Sequence, residues 1–234
     1  MKRIAYTLFA AVLLSSATLK ASAQSEESRQ VSGFNSIASG GAFDVHVKIN
    51  GTESLKIQGD ADAVKEIETK VEDGHLQVKF RHHDNWNHEN YGPIHIYITA
   101  KSLSGLANAG SGSIKVEGTV SGDKVNVVLS GSGSISSAVK AGDFHVVLSG
   151  SGSINLTGSA DETKISISGS GDVNGKEFKT NTASVAIAGS GNAHLGADKS
   201  ISASIVGSGN VVYNGNATIS DTRTVGSGRL SRQN

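Results

Sequence analysis

Residues 81–92 read Arg-His-His-Asp-Asn-Trp-Asn-His-Glu-Asn-Tyr-Gly, the segment of this sequence richest in side chains that could hold a ligand. His82, His83 and His88, with Asp84 and Glu89, carry the nitrogen and oxygen donors a divalent metal takes. Adjacent ligands in a polar loop rarely converge into a preorganised site. The expectation is therefore a solvated loop, with no metal and no cofactor assigned. Trp86 and Tyr91 add two aromatic rings. Such rings stack on a sugar or a partner surface, or pack over the end of a core. His82, His83, Trp86, His88 and Tyr91 form the candidate ligand-contact loop.

The other chemistry-bearing pattern is Gly-Ser-Gly, which begins at Gly110, Gly131, Gly150, Gly169, Gly189, Gly207 and Gly226. It is not a dinucleotide fingerprint, because the third glycine and the following helix are missing and the motif recurs seven times. A calcium ladder needs acids after the glycine-rich turn. The matching positions are Ser113, Ser134, Ser153, Asp172, Asn192, Asn210 and Arg229, of which one is acidic. Serines abound, yet no motif places a base for a triad. Polysaccharide-cleaving β-helices cluster acids on one face. Here the rows flanking the corner are small: Ala107, Val128, Val147, Ser166, Ala186 and Ser204 in one, Ala109, Ser130, Ser149, Ser168, Ala188, Val206 and Val225 in the other. That stripe suits docking or self-association more than catalysis.

What must position these residues follows from the repeat. The spacings are 21, 19, 19, 20, 18 and 19 residues, and every copy keeps its central serine: Ser111, Ser132, Ser151, Ser170, Ser190, Ser208, Ser227. Apolar residues alternate on both sides, as in Val146, Leu148 and then Ile154 around Gly150. Period two with β-branched bias reads as strand, sharp corner, strand. Two glycines per repeat exclude a helix. One such repeat cannot bury its apolar face alone, so copies must stack. The expected fold is all-β: a single-stranded right-handed parallel β-helix, or β-solenoid, with coils of about 19 residues. An antiparallel barrel or sandwich of hairpins is the weaker alternative. Stacked serines could form a hydroxyl ladder. The last repeat replaces apolar residues with Thr222 and Thr224, which suits a polar cap on an exposed edge.

Residues 34–100 precede the repeats as a more irregular β-rich part, and 101–234 carry the Gly-Ser-Gly coils. Phe43, Val45, Val47 and Ile49 alternate with polar residues, as do Ile94, Ile96 and Ile98. Asp60 reads as the cap of a short helix ending near Ile67, and Asp73-Gly74 as a hairpin turn between residues 68 and 80.

Residues 1–23 read as a signal peptide. Lys2 and Arg3 precede an apolar run from Ile4 to Leu14, and Ala21-Ser22-Ala23 fits a peptidase before Gln24. The run is too short to span a bilayer, which takes about 20 residues. No Cys follows it to take a lipid, and no later segment could span as a helix. Residues 24–33 form a flexible lead-in. The leader takes three of the 21 cations and none of the 21 acids. The mature chain is thus slightly acidic, which argues against nucleic acid as a partner. With no Cys, no disulfide supports this exported fold.

Phe34-Asn35-Ser36-Ile37, Gly41-Ala42-Phe43-Asp44-Val45, the Asp73-Gly74-x-Leu76 turn and the run from Ile98 to Gly112 together resemble the "putative auto-transporter adhesin, head GIN domain" family. The resemblance covers residue 34 to the C-terminus. It implies an exported β-helical domain with an adhesin-like name and no assigned chemistry. The sequence shows no large membrane barrel, so self-secretion does not carry over. The expectation is a non-enzymatic cell-envelope module, periplasmic, outer-membrane-associated or extracellular, that binds a protein or glycan. A carbohydrate-active β-helix enzyme and a purely structural scaffold are the alternatives.

Overall fold

The computed structural model describes residues 24–81 and 91–233. Strand takes 77% of the described residues and helix 3%, as an all-β reading requires. The N-terminal elements are β1 (Gln24–Arg29), β2 (Ser36–Gly40), β3 (Phe43–Ile49), β4 (Ser54–Asp60), α1 (Ala61–Glu66), β5 (Ile67–Glu72), β6 (His75–Phe80) and β7 (Ile94–Ala100). The repeats supply β8 (Gly105–Gly110), β9 (Ser113–Gly131), β10 (Ser134–Gly150), β11 (Ser153–Gly169), β12 (Asp172–Gly189), β13 (Asn192–Gly207), β14 (Asn210–Asn214), β15 (Thr218–Gly226) and β16 (Arg229–Arg232).

From β8 onward each coil pairs in parallel with the next, and the glycines stack in one column: Gly110, Gly131, Gly150, Gly169, Gly189, Gly207, Gly226. This excludes the hairpin barrel. The reason lies in the corner. The Gly150 carbonyl accepts from both Ser170 N and Gly171 N, each at 3.0 Å. A Cβ at Gly169, where φ is +118°, would stand 2.4 Å from that same oxygen. Gly171 has no left-handed backbone, but its Cβ would stand 2.5 Å from the Gly152 oxygen. The close approach of successive coils therefore requires both glycines. The residue between them points outward, and all seven serines are exposed. Among the described residues no corner serine hydroxyl bonds another, so the backbone rather than a hydroxyl ladder ties the corners together.

Inside run apolar columns in strict register: Val127, Val146, Ile165, Val185, Ala203 in one, and Leu129, Leu148, Ile167, Ile187, Ile205 beside it. Phe144 and Phe178 fill a wider section, with ring centroids 5.3 Å apart.

The irregular N-terminal part continues this stack. β2 and β3 lie directly on β8 and β9 in parallel register, with Gly41 in the corner column: its N–H bonds Ala109 O at 3.0 Å and its carbonyl accepts from Gly112 N at 3.2 Å. Next come β6 on β2 and β7 on β3, again parallel. Coil order thus departs from chain order, because residues 36–49 sit between 75–100 and 105–131. The last layer is reversed. β4 runs antiparallel to β7 and β5 antiparallel to β6, and residues 24–29, expected as part of a flexible lead-in, instead form the paired strand β1, antiparallel to β4. Asp60 caps α1 by accepting from Asp62 N at 2.9 Å and Ala63 N at 3.4 Å. The Asp73-Gly74 turn has φ of 49° and 78°, the double left-handed turn that suits a tight hairpin.

Candidate functional site

Side chains on the outer face of β3, β4, β7 and β9 line a groove of 770 Å³, walled on one side by residues 28–31. Parity decides what is offered there. Val45, Val47, Ile57, Ile96 and Ile98 point into the core, so their neighbours His46, Lys48, Lys56, Tyr97 and Thr99 point out. Register then aligns them across strands. Lys56, Tyr97, His46 and Lys115 form one rung on four adjacent strands.

Tyr97 is packed on both sides. Its ring stacks on His46 with centroids 5.3 Å apart and planes 16° apart, and Lys56 Nζ lies 5.3 Å from its centroid. The ring therefore stands on edge, 38% exposed, and offers its rim and hydroxyl rather than its face. Lys56 also reaches Glu26 at 3.4 Å, and Lys48 reaches Glu117 at 2.9 Å. Beside this rung lies another: Ser113 Oγ donates to Asp44 Oδ1 at 2.9 Å, and His95 Nδ1 lies 3.7 Å from Asp44 Oδ2.

At Lys115 the groove meets a second depression of 560 Å³ that runs on over β10, β11 and β12. The rung continues through it as Ser136, Asn155 and Asn174. Asn174 Nδ2 donates to Asn155 Oδ1 at 3.3 Å, and Asn155 Nδ2 to Ser136 Oγ at 3.4 Å. The neighbouring row, where a calcium ladder would need acids, is an amide ladder instead: Asn192 Nδ2 donates to Asp172 Oδ1 at 2.8 Å and Asn210 Nδ2 to Asn192 Oδ1 at 3.2 Å. The arrangement is a polar track along the solenoid axis, about 4.8 Å per step.

Glu53 borders the groove and accepts from Lys101 Nζ at 2.7 Å, Gly33 N at 2.8 Å and Phe34 N at 3.3 Å. The Lys101 bond comes first among the causes that hold its carboxyl below the usual range. A general acid needs the opposite shift.

His82, His83, Trp86 and His88 lie outside the described residues, as do Asp84 and Glu89. The strands on either side of residues 81–93, β6 and β7, match β2 and β3 in register. Tyr91 is half-buried and stacks on Phe80 at 6.2 Å, and Phe80 in turn packs 4.8 Å from Phe43. Among the described residues no cluster of three or more His, Cys, Asp or Glu could hold a metal. The small-residue rows beside the corner form a shallow apolar face, with Val147 and Val206 43% and 54% exposed. The rung of Tyr97, His46, Lys56 and Lys115 escaped the sequence reading. Its parity was visible in the alternation of 43–49 and 94–98, but the cross-strand alignment was not.

The family described as "Putative auto-transporter adhesin, head GIN domain" matches residues 33–217. Similar solved structures include one described as a putative adhesin from Bacteroides fragilis, 22% identical with a TM-score of 0.79, covering 90% of this chain and 97% of that one. Another, described as a putative lipid binding protein from Parabacteroides distasonis, is 21% identical with a TM-score of 0.71 over 90% and 97%. A third, described as a putative adhesin from Parabacteroides merdae, is 18% identical with a TM-score of 0.66 over 90% and 96%. At these identities the likeness establishes the fold. No curated protein matches the chain.

Proposed function

Since the chain belongs to this head GIN domain family, we propose that it is an exported, non-enzymatic, adhesin-like module that holds a glycan chain along the track from Lys56 to Asn174. The observation that carries the reading is the on-edge rung. Tyr97 is held between His46 and Lys56, so phenol, imidazole and ammonium groups face outward from a rigid sheet at strand spacing. A row of fixed donors and acceptors with few free ring faces favours a hydroxyl-rich linear ligand over an apolar one. Family and fold support the adhesin-like part. Residues 2–23, with their basic, apolar and small-residue segments, support export, and no helix among the described residues is long and apolar enough to cross a membrane.

The test is a panel of purified envelope and host glycans, read by calorimetry and by product analysis. Binding should appear without cleavage. Tyr97→Phe keeps the stack and removes one hydrogen bond, and should weaken binding several-fold, as expected for a bond of about 0.5–1.5 kcal/mol. Release of shortened product would establish an enzyme and defeat the reading. Binding indifferent to Tyr97→Phe and Lys115→Ala alike would move the site elsewhere. Mass spectrometry of the protein recovered from its native cells should begin at Gln24, and an intact Met1 would refute export by cleavage.

A further inference from the structure

The strand β15 is unusual in this molecule. Every residue from Thr218 to Gly226 is exposed. It pairs with β13 on one side, and among the described residues no strand pairs its other side. A bare edge of this length is a template for another strand. From its sequence and register we infer that the strand it takes is β15 of a second copy, run antiparallel about a two-fold axis at Thr222.

Three observations converge on a second copy. The first is the direction of the backbone groups. Gly207 O accepts from Ser227 and Gly228 in the coil beyond it. Gly226 is the next glycine in that column, so its carbonyl faces the open edge. Pleat alternation then turns the N–H and C=O of Thr224 and Thr222 the same way. A two-fold axis at Thr222 makes it a hydrogen-bonded pair with itself, Cα atoms about 5.5 Å apart.

The second observation is charge. Asp221 and Arg223 match Ser202 and Ser204 in register and so face outward, while Thr222 and Thr224 match the buried Ala203 and Ile205. Neither Asp221 nor Arg223 has an ion pair among the described residues. Rotation about Thr222 sets Asp221 opposite the partner's Arg223 and repeats the pair symmetrically. Moving the axis to Asp221 would face acid against acid, and moving it to Arg223 would face cation against cation. Moving it by half a step would put each strand's apolar face outward on one copy. One register is therefore self-complementary, and its neighbours are repulsive or inverted.

The third observation is apolar surface. Ile219 and Val225 are 48% and 55% exposed, and Ile219 matches the buried Ile201. An axis perpendicular to the sheet lays the two open core ends against each other, so Ile219 and the threonine layer are covered. The product is one continuous solenoid made of two chains joined at their C-terminal coils.

The chain has no Cys, so a single introduced thiol reports the geometry. Mature Thr222→Cys should oxidise to a covalent dimer, since a self-paired site lies within disulfide reach. Val225→Cys, three residues off the axis, should cross-link far more slowly. Sedimentation of the mature protein at tens of micromolar should show a dimer. Asp221→Arg and Arg223→Asp should each weaken it by roughly tenfold or more, and the double swap should restore it. Both positions are exposed, and unchanged thermal melts will show that the fold is intact. A wild-type protein that is monomeric throughout, single charge reversals that leave the dimer unaltered, or equal cross-linking at 222 and 225 would each overturn the proposal. Glycan binding through Tyr97 does not depend on this contact, so either can fail without the other.

Discussion

At the scale of single residues, the corner assigns different work to three adjacent positions. Gly169 needs its left-handed backbone and its missing Cβ, and Gly171 needs only the missing Cβ. Ser170 contributes its N–H to Gly150 O and turns its side chain to solvent. Ser170→Ala should therefore change stability by less than about 0.5 kcal/mol. Gly169→Val should lower it by about 1–3 kcal/mol from strain, with a further loss from stacking. Gly226→Val makes the same local clash, 2.2 Å from Gly207 O, but in a coil that, in the monomer at high dilution, has one neighbour rather than two. It should cost less than Gly169→Val. Urea melts of the three variants decide the matter. A large loss for Ser170→Ala would reinstate the hydroxyl ladder, and an equal loss at both glycines would show that the end coil is as tightly coupled as the middle ones.

At the scale of elements, legibility followed locality. The helix at 61–66 was readable because its cap, Asp60, is adjacent in sequence, and the turn at Asp73-Gly74 because its geometry is set by two residues. The repeats were readable because the same corner recurs. Gly41 was not read as a corner, since Ala42 and Phe43 stand where the motif has Ser and Gly, although its backbone bonds fit the column. Glu53 was likewise invisible. Its carboxylate joins the loop after β3 to Gly33 and Phe34, which lead into the first coil, and to Lys101, which follows β7. Such a clamp spans elements far apart in sequence. Its carboxyl is held low chiefly by Lys101, with the two backbone donors adding to it. A lowered folded value means that the stabilisation is complete above the ordinary glutamate range, about 4.3, and is lost as pH falls from there through the lower folded value. Glu53→Gln should then lower the melting temperature at pH 7 and flatten its fall between about pH 5 and 3. An acid branch no flatter than wild type would remove Glu53 from this role.

At the scale of the whole molecule, chain order and spatial order disagree, and this determines which parts can be lost. The chain lays down residues 36–49, passes beyond them to build 54–72 and 75–100, and returns at 105 to continue on the other side. The first coil made is therefore an interior coil. No periodicity could reveal this, because the register of β2 with both β6 and β8 is set by cores that close only in three dimensions. Residues 218–233 are the reverse case: the last layer, paired on one side, with Thr222 and Thr224 over the end of the core. Deleting 218–233 should leave a cooperatively unfolding β protein, because every remaining coil keeps its internal interfaces. Its urea midpoint should drop, since Ala203 and Ile205 lose their cover, and the slope should shrink with the smaller surface exposed on unfolding. Deleting 36–50 removes less polar surface but takes Ile37, Phe43, Val45 and Val47, all buried, from between two layers. Those layers were never shaped to meet: β6 would have to pair with β8, and β7 with β9. That variant should show no cooperative transition by circular dichroism. A sharp melt near the wild-type midpoint would mean that the flanking coils can close over the gap, and that the interior position of residues 36–49 is not what holds the N-terminal layers to the repeats.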